Sequence, residues 1–263
     1  MKMNSVNKTL YIPLYGKALV TKKGIILYDP KAQKIWDEEK FELKRKSRSK
    51  WLAYFMSMRC VVFDEWTKEK IEKFPGSVVL HLGCGMDSRV ERIGALSQKW
   101  FDVDFEEVID ERKRYYNETE SYHMLPADLK DISFISSLPK AEHAIVILEG
   151  VSMYLTNDEL KRILDSLNEH FVHLSVLLDC YTPFGAKMSK IKNPINDVGV
   201  SNVYGIESPQ ALEENTHLKF VAEHEMTPRF LVDELKGLEG FIFKILYAGK
   251  MSKRIYKIYE YES

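Results

Sequence analysis

Three shortages in this sequence exclude several functional classes. Cysteine is scarce: Cys60, Cys84 and Cys180 are the only three, far apart, odd in number and without metal-ligand spacing. That excludes a disulfide framework and a cysteine-based metal centre, and it predicts reduced thiols, as expected of a cytoplasmic protein. Long apolar runs are absent too, and none approaches the ~20 residues needed to cross a bilayer. Residues Met1 to Lys8 are polar and lack the apolar centre of a signal peptide. Charge imbalance is missing as well. The formal net charge is −1, so no whole-molecule field draws nucleic acid or an anionic membrane. Internal repeats, low-complexity tracts and long Gly/Ser linkers are not found.

What remains is an ordinary globular composition, with 263 residues and 45% apolar side chains. That is enough for a single large domain with a proper core. Residues 1–75 predict a helical N-terminal extension. Within it Asp29-Pro30 turns the chain into a helix through Ile35 and Trp36. Six of the eleven residues from Lys40 to Lys50 are basic, which reads as a solvated helix face. Apolar residues at helical spacing continue from Trp51 to Phe74 and stop at Pro75-Gly76.

Beyond that break the periodicity changes. Ser77–Leu82, Trp100–Phe105, Tyr122–Ala127, Ala144–Leu148 and Leu174–Leu178 predict strands. The last two are apolar throughout, as parallel strands covered on both faces must be. Helices are predicted at Glu106–Tyr116 and Asn157–His170, the second opened by the capping-box pair Thr156 and Glu159. Alternation of this kind predicts a Rossmann-like α/β fold with a doubly wound, mostly parallel seven-stranded sheet. Segment 76–182 is the expected ligand-binding core. Segment 183–218 is an expected insertion after the fifth strand, serving as a lid or acceptor site through Tyr181, Phe184 and Tyr204. Segment 219–263 completes the sheet, with strands at Leu218–Glu225 and Arg254–Tyr261. Residues 229–251 fit helix and strand about equally well.

Ligands of open α/β sheets sit beyond the carboxyl ends of the strands, where the strand order reverses. Four predicted strand ends carry suitable groups. The first is followed by Gly83-Cys-Gly85-Met-Asp87, where glycines allow close backbone approach and helix-opening amides offer donors. The second ends on Asp104, 19 residues after Gly85, at the offset where a carboxylate can hold a ribose diol. The third is followed by Asp128-Leu129, a carboxylate for an exocyclic amine beside an apolar side chain for a ring. The fourth is followed by Glu149-Gly150. Position 88 is Ser, where a dinucleotide fingerprint carries its third glycine, and this weakens a nicotinamide-cofactor reading.

At these residues the sequence resembles the leucine carboxyl methyltransferase family, in particular its bacterial polyketide O-methyltransferase branch. The resemblance spans roughly residues 9–180. It is carried by Leu82-Gly-Cys-Gly-Met-Asp-Ser-Arg89 and Glu149-Gly-Val-Ser-Met-Tyr-Leu155, and supported by Gly16-Lys17-Ala18, Asp29-Pro30-x-Ala32, Arg59, Asp102-Val-Asp-Phe105 and Asp128-Leu129. It implies a class I fold that uses S-adenosylmethionine and releases S-adenosylhomocysteine. It implies that Gly83 and Gly85 pass the methionine part, that Asp104 holds the ribose and that Asp128 with Leu129 recognises adenine. Glu149 would close the wall near the amino-acid end, and Arg59 and Lys17 would reach a carboxylate. Tyr154 would face the acceptor, as the expected catalytic-side residue.

A carboxylate acceptor, with a pKa of about 4, needs no general base, whereas a phenol of pKa about 10 benefits from one. None of the seven histidines stands out as catalytic: His81 reads as a core residue of the first strand, and His217 and His224 flank the expected sixth strand without a clear place. The expected activity is therefore O-methylation of a carboxylate or hydroxyl on a small molecule, without nucleic acid or membrane as partner. A Rossmann-type NAD oxidoreductase and a non-catalytic cofactor-binding protein are the competing readings.

Overall fold

The protein is described by a computed structural model covering residues 10–39, 41, 43, 45–94, 98–192, 203–214 and 216–263. Strands β1 (Val78–Leu82), β2 (Lys99–Asp104), β3 (Tyr122–Pro126), β4 (His143–Leu148), β5 (His173–Tyr181), β6 (Lys219–His224) and β7 (Tyr256–Glu262) form one sheet. Their order is β3-β2-β1-β4-β5-β7-β6. All pairings from β3 to β5 are parallel, and β7 runs antiparallel to both of its neighbours. The order reverses between β1 and β4, so the crevice above their carboxyl ends is the natural ligand position.

The central strands form where the sequence predicts them because they are apolar on both faces. All five residues of β1 are buried, as are Ala144 to Leu148 of β4. Alternate residues feed two cores, following the two-residue period of a strand. Val79, Ile145, Ile147 and Leu177 pack toward Leu14, Tyr54, Met58 and Phe63 of the N-terminal helices. Leu80, Val146, Leu148 and Val176 pack toward Leu160, Ile163 and Leu167 on the opposite face. Edge strand β6 behaves differently: its burial alternates between exposed and half-buried, and it carries Lys219 and Glu223 toward solvent.

Three long helices bring the N-terminal extension onto the sheet: α1 (Tyr11–Lys23), α2 (Pro30–Glu39) and α3 (Lys50–Lys73). Helix α1 has Pro13 in its first turn and closes on Gly24 in the left-handed region, φ 64°. The basic run does not form one helix. Arg45–Arg48 make a 3-10 turn, and α3 begins only after Ser49, which is extended. Residues 40, 42 and 44 lie outside the described residues.

Helices α4 (Arg89–Ile93), α5 (Glu106–Arg112) and α6 (Asn157–His170) connect the strands. The capping box of α6 is present. Thr156 Oγ1 accepts from Glu159 N at 3.2 Å, and Glu159 Oε2 accepts from Thr156 N at 2.8 Å. Helix α7 (Pro183–Lys192) follows β5, and residues 193–202 lie outside the described residues. The ambiguous stretch resolves as helix: α8 (Arg229–Val232), α9 (Gly237–Tyr247) and α10 (Lys250–Lys253). Its buried members, Leu231, Val232, Leu235 and Phe243, join the N-terminal core rather than a further strand pairing.

Candidate cofactor pocket and active site

A cavity of about 450 Å³ opens above the carboxyl ends of β1, β2, β4 and β5. All nine residues expected at the site line it: Lys17, Arg59, Gly83, Gly85, Asp104, Asp128, Leu129, Glu149 and Tyr154. They come from α1, α3, the loops after β1, β3 and β4, and the end of β2. The doubly wound topology therefore collects groups scattered across some 140 residues.

The glycine loop has the shape that close approach of a ligand requires. Gly83 and Gly85 lie at φ 70° and 52°, and a side chain at Gly83 would overlap Val151. Gly85 N donates to Asp104 Oδ2 at 2.7 Å, and Phe105 N donates to Oδ1 at 2.8 Å. Each oxygen keeps a second lone pair, on a side chain that is half-buried at the cavity wall. Burial pushes the Asp104 carboxyl up to about 6, and these two backbone donors only partly oppose the shift. Asp128 Oδ1 accepts from Lys130 N at 3.0 Å, and the buried Leu129 packs beside it.

The other end of the cavity is a buried ion network. Arg59 Nε donates to Glu149 Oε1 at 2.9 Å, and its Nη1 donates to Asp179 Oδ2 at 2.7 Å. Lys17 Nζ lies 2.9 Å from Asp87 Oδ2. Arg89 joins Glu149 to Asp64, and Arg92 bridges Asp64, Asp29 and Asp87. Burial alone would raise the Glu149 carboxyl, but Arg59 and Arg89 outweigh it and hold the group below its usual range. Asp87 is lowered further, because burial is overcome by Lys17 and Arg92. Lys17 and Arg59 are both buried and both charged: the penalty of burial is exceeded by Asp87 for the lysine and by Asp179 and Glu149 for the arginine.

Donor atoms of Cys60, Asp87 and Glu149 fall within 4.8 Å of one another. The two carboxylates are already engaged by Lys17, Arg59, Arg89 and Arg92. The surrounding positive charge opposes a divalent ion there, so the cluster is an ion-pair network rather than a metal cage.

His81 sits within this network, as a core histidine of β1. Its Nε2 is 3.2 Å from Arg89 Nη1, and its Nδ1 is 3.2 Å from Asp102 Oδ1. Arginine can only donate, so Nε2 is the acceptor and Nδ1 carries the proton, near Asp102 but without hydrogen-bond geometry to it. Burial holds the ring below its usual pKa, and it stays neutral.

Two residues at the site had no place in the sequence reading. Asp179, near the end of β5, is fully buried and accepts from Arg59, from Gly150 N at 2.7 Å and from Tyr256 Oη at 2.8 Å. Burial raises its carboxyl, with Arg59 opposing. Its strand-end position was a signal that the sequence carried. Tyr256 opens β7 and had no such signal, because its place beside Asp179 depends on the antiparallel pairing of β7 with β5.

The wall away from the ion network is apolar. Leu52, Phe55 and Met56 of α3, Leu246 and Tyr247 of α9, Ile255 and Tyr181 all line the cavity, with the Phe55 and Tyr247 rings 5.3 Å apart. Tyr154 belongs to a 3-10 turn at Ser152–Tyr154 and lines the same space. Of the three aromatics expected to form the acceptor side, Tyr181 lines the cavity. Phe184 and Tyr204 are 40% and 44% exposed and are not among its lining residues. Leu246 and Tyr247 of α9 and Ser252 of α10 do line it. Tyr204 contributes through its backbone, donating to Met153 O at 2.8 Å and so tying the insertion to the 3-10 turn.

Comparison with known proteins decides the family. The profile of the leucine carboxyl methyltransferase family matches residues 4–168. The chain belongs to the leucine carboxyl methyltransferase family. It is an S-adenosylmethionine-dependent methyltransferase. Among similar curated proteins is the tetracenomycin polyketide synthesis O-methyltransferase TcmP of Streptomyces glaucescens, 27% identical over 92% of this chain and 91% of that one. The S-adenosyl-L-methionine-dependent methyltransferase dpfgK of Gibberella zeae is 24% identical over 82% of this chain and 78% of its own. Among solved structures, a putative methyltransferase from Thermobifida fusca superposes with a TM-score of 0.59 at 12% identity, covering 95% of this chain and 93% of that one. Magnesium protoporphyrin IX methyltransferase from Synechocystis, with bound S-adenosylhomocysteine, gives 0.53 at 12%, covering 94% and 99%. At such identities the two structures speak for the fold, which they share with this family member.

Proposed function

We propose that this methyltransferase transfers a methyl group to an oxygen, carboxylate or hydroxyl, of an apolar small-molecule acceptor. The observation that carries the reading is a single cavity whose lining joins the charged groups of Lys17, Arg59, Asp104 and Glu149 to apolar and aromatic side chains, Tyr154 and Tyr256 among them. S-adenosylmethionine fits the charged end by the chemistry of its donors. The glycine loop leaves room for its chain, Asp104 offers oxygens to a ribose diol, and Asp128 with Leu129 suits adenine. Lys17 and Arg59 suit its carboxylate, and Glu149 closes the wall near its amino-acid end.

When bound, the cofactor supplies an activated methyl group, so the protein's task is alignment of an in-line displacement and exclusion of water. Glu149 and Asp179 fix the Arg59 guanidinium in orientation. The apolar wall of α3 and α9 strips water from the acceptor, and the polar groups near it turn its oxygen toward the methyl. The neutral His81 is turned to Asp102 and Arg89 and takes no proton. A carboxylate acceptor needs no base, and among the described residues the one histidine lining the cavity, His81, is held at Arg89 with its pKa lowered by burial, which favours a carboxylate over a phenol. The similarity to TcmP, a polyketide O-methyltransferase, supports a small-molecule acceptor.

The test is calorimetry with S-adenosylhomocysteine, using NADH as control, followed by methyl transfer to a panel of aromatic and aliphatic carboxylic acids, phenols, amines and thiols. Micromolar one-to-one binding of the former alone is expected, with turnover concentrated among apolar carboxylic acids. Turnover confined to amines or thiols would overturn the oxygen assignment.

A further inference from the structure

Large apolar side chains stand in solvent at one place in unusual density. Phe230, Leu238, Phe241, Ile245 and Leu246 are 64%, 72%, 62%, 62% and 54% exposed, all within α8 and α9. Leu238, Phe241 and Ile245 recur at spacings of three and four, so they form one stripe along α9. Gly240 and Phe243 occupy the opposite, buried side. The helix thus spends apolar residues on both faces although only one meets the core. Patches of this kind mark interaction surfaces.

The charge around the stripe indicates what kind of surface it meets. Lys23, Lys50, Arg229, Lys236 and Lys244 surround it, each with an exposed side chain. The nearby acids are held in part by these same cations: Asp233 by Lys244 at 2.9 Å and Arg229 at 3.5 Å, Glu239 by Lys50 at 2.9 Å, Lys23 at 3.5 Å and Tyr54 Oη at 2.8 Å, and Glu234 by Ile26 N at 2.5 Å. Five cations against three engaged carboxylates leave a local positive excess on a chain whose formal net charge is −1. A second copy of the chain is a poor occupant, because a two-fold contact through α9 would set that excess against itself.

We propose that the exposed face of α9, with Phe230, docks on an anionic bilayer surface. An interfacial helix inserts its apolar stripe at the headgroup boundary while flanking lysines meet anionic lipid. At 11 residues α9 is about 16 Å long, so it lies in the surface and does not cross it. Leu246 both stands in solvent and lines the cavity. Docking therefore brings the apolar end of the pocket against the membrane, where an apolar acceptor concentrates. This last point rests on the proposed function; the docking itself does not.

The experiment is co-sedimentation of the whole protein with phosphatidylcholine vesicles, with and without phosphatidylglycerol. Binding to the anionic vesicles is expected, weakening at high salt. The Phe241→Ser/Ile245→Ser variant, whose positions lie outside the cavity lining, loses about tenfold or more in partitioning. Lys236→Glu loses less, and only at low salt. Calorimetry with S-adenosylhomocysteine on the same variants is unchanged, which separates failure of the docking from failure of the cofactor site. Sedimentation no greater with anionic vesicles than with none overturns the proposal. So does undiminished binding by the double variant. A concentration-dependent dimer that the double variant abolishes, without vesicle binding, assigns the face to a second copy and overturns it equally.

Discussion

Arg59 and Asp179 meet at the centre of the ion network: Arg59 Nη1 lies 2.7 Å from Asp179 Oδ2, although 120 residues separate them in the chain. The guanidinium comes from the middle of α3 and the carboxylate from the end of β5. Both side chains are buried. A buried pair adds little net stability against an apolar substitute, but breaking it leaves the partner charged and alone.

Replacing Arg59 by Met should accordingly cost about 3–5 kcal/mol of folding stability, because it strands Glu149 and Asp179 together. Urea unfolding measures this. A loss under about 1 kcal/mol would show that the two carboxylates find other partners or take up protons without penalty.

Asp104→Ala should weaken binding of S-adenosylhomocysteine by about 1.5–3 kcal/mol, tenfold to about a hundredfold. The variant should fold normally. Unchanged affinity in the folded variant would remove Asp104 from the ribose position.

The same residue predicts a pH dependence. In the proposed complex ribose hydroxyls would donate to the ionised carboxylate, whose pKa is raised to about 6. Affinity should therefore be flat above pH 7 and fall as pH drops through 6, approaching about tenfold per unit. Linkage gives the opposite sign for the stability of the free protein. Its native form holds the proton more tightly than the unfolded chain, so this carboxyl's contribution declines as pH rises from about 4 to 6. Calorimetry and unfolding across pH 5–8, compared with Asp104→Asn, test both signs; matching profiles for the two proteins would refute the assignment.

Gly83 and Gly24 offer a paired test of the glycine loop. Both lie at positive φ, but a side chain at Gly83 runs into Val151 while one at Gly24 meets nothing within 4 Å. Gly24→Ala should cost about 1 kcal/mol, the backbone term alone. Gly83→Ala should cost about 2–5 kcal/mol, strain and overlap together, and also impair cofactor binding. Equal costs would mean that Val151 moves aside freely.

Much of the cavity lining proposed for the cofactor was legible without coordinates because its residues sit at strand ends. A short apolar run followed by a glycine or a carboxylate places that group at the rim of a parallel sheet, whatever the loops do. Hence Gly83, Asp104, Asp128 and Glu149 could be grouped before any distance was known. Helix α6 was equally readable, since the Thr156–Glu159 box is local chemistry. The acceptor end was not. Phe184 and Tyr204 look as suitable in sequence as Leu246 and Tyr247, but only the latter pair reaches the cavity.

By itself the sequence determined the class of fold, the alternation of strands and helices, and the residues that crowd the strand ends. These follow from periodicity and from turn chemistry, which act over a few residues. Only the tertiary structure decided which charge answers which. Arg59 turned to Glu149 and Asp179, Lys17 to Asp87, and Tyr256 reached the floor of the pocket from the antiparallel strand. It likewise decided that α9 would close the apolar wall with one face and leave another bare. Coulomb energy and burial depend on distances through space, and chain spacing does not encode those distances until the sheet has assembled.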